Sequence, residues 1–149
     1  MNYQDLDYPI QNRVAEMLFH HQNRCKEIIA KDKFLLPMAV VQDTAEDSVQ
    51  AFALHPANEK RADVDRAYEK AVELIGQINC QYALFSYSTQ VGGLGSGKLQ
   101  NALKTVIFTP NNLAVVFFTP YEIKGFLKRT TVYGKPIFFE IIENVFDKT

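Results

Sequence analysis

The chain has 149 residues, of which 47% are apolar, 12% aromatic and 22% charged, with a formal net charge of −1. That composition fills one continuous core without metals or disulfides, and the length fits a single domain over 1–149. The balanced charge excludes a strong overall field for gathering polyanions, while the acidic N-terminus "MNYQDLDYPI" and the shortness of the apolar runs argue against a secretion signal or a membrane span.

From Pro9 to Lys31, apolar or semi-apolar residues recur at Ile10, Val14, Met17, Leu18, His21, Cys25 and Ile28, the spacing of one helix face. Pro9 suits the first turn, where its missing N–H has no partner to lose. Pro37 ends that pattern, and the β-branched pair Val40 and Val41 begins a strand. The polar turn "DTAEDS" (43–48) then leads to "VQAFALH" (49–55), so 38–55 reads as a hairpin.

Asp63 is placed to cap a second helix, in which Val64, Ala67, Tyr68, Ala71, Val72, Ile75 and Ile78 share one face before it ends near Asn79. "CQYALFSYSTQV" (80–91) reads as a long strand with hydroxyls on one side and aromatics on the other. "LKTVIFT" (103–109) and "LAVVFFT" (113–119) flank "PNN", and asparagine tolerates the left-handed turn such a hairpin needs. The likeness of "TVIFTP" to "VVFFTP" reflects two hairpin strands with one job, because nothing else in the chain recurs. The stretch 135–146 fits either a strand or a helix, and a strand beginning after Pro136 is the preferred reading. The order α-β-β-α-β-β-β-β predicts an α+β fold: a mostly antiparallel sheet of five or six strands with two amphipathic helices packed on one face.

The stretch "QVGGLGSGKL" (90–99) has the spacing of a phosphate-cradling loop up to Lys98. It fails at three points. Leu99 occupies the position of the magnesium-binding hydroxyl, too few residues separate Lys98 from the β-type run at 105 for a crossover helix, and both neighbouring apolar strands end in Thr-Pro instead of an acid. The segment is therefore expected to link two strands. In the alternative reading it is a flap over a small ligand or nucleotide, held by Gly92, Gly93, Gly95, Ser96, Gly97 and Lys98, with Ser86, Ser88, Tyr121 and Lys124 lining the site.

His21 and Cys25 lie four apart on one helix face, and Cys80 is a third possible zinc ligand, but both lie on the inward stripe, which favours packing over metal. Asp65, Glu69 and Glu73 make a carboxylate stripe that Arg66 and Lys70 are placed to neutralise. In "KGFLKRTTVYGK" (124–135), Lys124, Lys128, Arg129 and Lys135 alternate with Phe126 and Tyr133; without a net positive charge or an RNA-binding signature this reads as a loop and edge strand, not a nucleic-acid surface. Residues 1–97 hold nine basic and thirteen acidic residues and 98–149 hold seven and four, so the parts carry −4 and +3.

No catalytic constellation, cofactor motif or metal site emerges. Eleven Phe and seven Tyr exceed what one core of this size hides. The expectation is a small cytosolic, non-enzymatic α+β domain that acts through protein contacts, as a homo-oligomer.

Overall fold

The computed structural model describes residues 1–42, 49–53, 61–77, 82–92 and 98–146. After a 3₁₀ turn at Tyr3–Asp5 come α1 (Tyr8–Asp32), β1 (Met38–Gln42), β2 (Val49–Ala53), α2 (Arg61–Gln77), β3 (Tyr82–Val91), β4 (Gln100–Thr109), β5 (Leu113–Lys124), β6 (Thr130–Tyr133) and β7 (Ile137–Glu143). The expected α+β order holds, and β6, within the stretch 124–135 expected to hold a loop and edge strand, adds a fifth strand after α2. The backbone beyond Lys98 enters β4 at Gln100, as a sheet connection requires.

One antiparallel sheet runs β2-β1-β3-β4-β5-β6, and β7 also pairs with β5. β5 is long enough to serve both: its first half pairs with β7 from Leu113↔Glu143 to Phe118↔Ile137, and its second half with β6 from Tyr121↔Tyr133 to Lys124↔Thr130. β2 and β3 flank β1 and both oppose it, so they run parallel to each other. Such a connection has to cross the sheet, and α2 supplies it.

The layering differs from the expectation. The helices cover opposite faces: Val14, Met17 and Leu18 of α1 pack on Val40, Leu84, Ile107 and Val115, whereas Ala67, Ala71 and Ile75 of α2 pack on Val41, Phe85, Val106 and Phe108. The physical reason lies in the central strands, which are apolar at consecutive positions. Runs such as "TVIF" and "AVVFF" place apolar side chains on both faces and need a cover on each.

Two boundaries also carry meaning. α2 begins at Arg61, so Asp63 sits inside its first turn and is not the cap. α1 ends with Lys33 in the left-handed conformation (φ 73°), its N–H bonded to the Ile29 carbonyl at 2.7 Å. Asn111 and Asn112 adopt φ of 73° and 63° between β4 and β5, the turn geometry read from "PNN".

Candidate functional site

Ser86 and Ser88 of β3 point at the α1 face, opposite Phe85 and Tyr87 on the α2 face, because successive side chains alternate. Ser86 is fully buried and donates to the Lys104 carbonyl at 2.9 Å, with Thr105 Oγ1 at 3.3 Å. Ser88 ties the α1–β1 connection to the sheet: its N–H donates to the Leu35 carbonyl at 2.9 Å, and its Oγ accepts the Leu35 N–H at 2.6 Å. Tyr121 of β5 completes the junction, its oxygen 3.1 Å from the Lys33 carbonyl and 3.0 Å from Ser88 Oγ. A phenol has one proton and a carbonyl only accepts, so Tyr121 donates to Lys33 and Ser88 donates to Tyr121. Burial raises the Tyr121 pKa, and the Ser88 bond opposes that rise, as a donor to the phenolate would.

Ser86 and Ser88 thus spend their hydroxyls on structure. A cavity of 310 Å³ opens beside the junction, lined by Lys33, Phe34, Ser88, Thr89, Asn101 and Tyr121. It lies near the mouth of the glycine segment. Of that segment, Gly92 and Lys98 are exposed, while Gly93, Gly95, Ser96 and Gly97 fall outside the described residues. Lys124 is not gathered into the cavity: it is exposed and paired with Glu122 at 3.6 Å.

His21 and Cys25 are both fully buried beneath α1, as their stripe implied. Arg24 Nη1 stands 3.0 Å from His21 Nδ1, and a guanidinium only donates, so Nδ1 accepts and Nε2 carries the proton, 3.4 Å from Cys25 Sγ. Burial, then the Arg24 charge, lowers the His21 pKa to about 3, and burial pushes the Cys25 thiol up to about 12. Both are held neutral. Cys80 lies outside the described residues, and no group of three metal-ligating side chains occurs among those described.

The basic, aromatic stretch of 124–135 divides into two environments. Thr131 and Tyr133 of β6 turn inward, donating to the α1 carbonyls of Lys26 and Gln22 at 2.8 Å each. Phe126 and Leu127, at the tip of the β5–β6 hairpin, are 98% and 96% exposed. Gly125 fixes that tip with φ 110°, and a Cβ there would overlap the Lys128 carbonyl oxygen, so only glycine fits. Lys128 and Arg129 directly follow the apolar pair.

A second cavity, of 520 Å³, lies along α2, with Tyr68, Val72, Val145 and Phe146 as its apolar lining and Glu69 and Glu73 in its wall. The expected pairs Arg66–Glu69 and Lys70–Glu73 do not form among the described residues. Asn112 holds the floor: its carbonyl accepts the Val145 N–H at 3.2 Å and its Oδ1 the Phe146 N–H at 2.7 Å. From sequence the tip is legible only as part of a loop with basic and aromatic residues, and the cavity's Glu69 and Glu73 only as a carboxylate stripe. The available signal was "GFLKR", an apolar pair enclosed by a glycine and two cations.

No protein-family model, curated protein or solved structure matches the chain. Among the described residues no helix is long and apolar enough to cross a membrane.

Proposed function

We propose that this chain is a cytosolic, non-enzymatic interaction domain that works through protein contacts and self-associates. One observation carries the reading: Phe126 and Leu127 stand almost wholly in water on a tip whose backbone conformation is fixed by Gly125. An apolar pair displayed on a set backbone avoids much of the ordering cost of binding. Its two side chains gain about 1.5–3 kcal/mol each when a partner buries them. Sedimentation velocity over a rising concentration series tests the reading. Wild-type protein is expected to associate and Phe126→Ser/Leu127→Ser to weaken association about a hundredfold; a wild type that stays monomeric throughout refutes it.

The cavity lined by Ser88 and Tyr121 favours a second reading, a small-ligand or nucleotide site with the 90–98 segment as its flap. A thermal shift with ATP or GTP and magnesium that Lys98→Ala abolishes supports that reading, and no shift across a nucleotide panel removes nucleotides from it.

A further inference from the structure

Resting on the reading of the hairpin tip as a contact surface, we infer that the tip of one copy docks in the α2 cavity of a second copy, joining molecules head to tail. The two surfaces match in chemistry. The tip offers a phenyl and an isobutyl group between Gly125 and the cations Lys128 and Arg129. The cavity offers an apolar floor at Val72, Val145 and Phe146 with the carboxylates of Glu69 and Glu73 in its wall. Its 520 Å³ comfortably exceeds the roughly 150 Å³ that holds a benzene ring.

Placement on the sheet makes the contact intermolecular. The floor residue Phe146 is pinned to Asn112, just before β5 begins, and the tip follows the end of β5. The 12 residues of β5 span roughly 40 Å, so no tip reaches its own cavity. Donor and acceptor surfaces are different patches at opposite ends of the molecule, and such a heterologous contact repeats into rings or open chains. The split between an acidic 1–97 and a basic 98–149 sets the same polarity.

The test uses two variants altered only at exposed positions, Phe126→Ser/Leu127→Ser and Glu69→Lys/Glu73→Lys, each verified as folded by circular dichroism. Light scattering at a concentration just sufficient for wild type to form species beyond the dimer should show each variant alone as monomer, association being weakened about a hundredfold. Mixed in equal amounts, they should form a 1:1 dimer and nothing larger, because the one remaining tip fills the one remaining cavity. If the Glu69→Lys/Glu73→Lys protein associates like wild type while the tip variant does not, the cavity is the wrong acceptor, though the tip remains a contact surface. A mixture that stays monomeric, or a tip variant that associates normally, overturns the docking outright. Monomeric wild type overturns both it and the reading on which it rests.

Discussion

Lowering the pH should destabilise this protein through His21 in a way that can be isolated. The ring is neutral in the fold because burial and the neighbouring Arg24 guanidinium oppose its charging, which holds its pKa at about 3 against 6.5 for a free histidine. A base with a lowered folded pKa contributes full stability above the unfolded value. As the pH falls below 6.5 the unfolded chain takes up the proton first, and stability drains away until the pH reaches about 3. Between pH 7 and pH 5 the loss is about 2 kcal/mol, at roughly 1.4 kcal/mol per unit once below 6.5. Urea unfolding of wild type and His21→Gln at both pH values isolates this contribution, because every other titrating group is shared. Glutamine keeps an acceptor for Arg24 but does not titrate. The wild type should lose about 2 kcal/mol more than the variant over that interval. Equal losses would refute the assignment of a buried neutral His21 with Nδ1 accepting from Arg24.

Tyr121→Phe should cost about 1–3 kcal/mol by leaving Ser88 Oγ and the Lys33 carbonyl short of a partner, and Ser88→Ala should be strongly non-additive with it in a double-mutant cycle of urea unfolding. Gly125→Ala should cost at least about 1–3 kcal/mol of backbone strain and should weaken association together with stability, seen by thermal melting and sedimentation. Lys33→Gly should raise the melting temperature by relieving roughly 1 kcal/mol of left-handed strain at the end of α1. Cys25 should stay unmodified by iodoacetamide in the folded protein at pH 8 and react once urea unfolds it, read by mass spectrometry of its peptide, since a buried thiol held near pKa 12 presents almost no thiolate.

Much of the fold was legible because local chemistry and tertiary packing agree. The stripe from Val14 to Cys25 does lie buried under α1, the Asn111–Asn112 turn does take left-handed angles, and the backbone after Lys98 does enter a strand, although β5 runs on through Pro120 to Lys124 instead of ending at Thr119. The layering was missed although its sign was present. Consecutive apolar residues in "TVIF" and "AVVFF" mean burial on both faces, and two helices on one side would have left Phe85, Val106 and Phe108 in water.

The hydroxyl-rich strand shows the opposite limit. Ser88 and Tyr121 lie 33 positions apart, and only the β3–β4–β5 pairing brings them within 3.0 Å, so no spacing rule could announce the junction they make with Lys33 and Leu35. Likewise "KGFLKRTTVYGK" looks uniform as a string. Strand alternation and the Gly125 turn send Tyr133 inward to α1 and Phe126 outward to solvent. Glu69 and Glu73 looked like a neutralised helix face, and their place beside Phe146 depends on Asn112 gripping a segment more than thirty positions later.

Amide chemical shifts followed by NMR as wild-type protein is diluted test the central claim most directly. Resonances of residues 124–129 should move together with those around Tyr68–Gly76 along one shared concentration dependence, and the rest should stay largely still. Shifts at neither region, or movement centred on other surfaces, would contradict an interaction domain built around this tip.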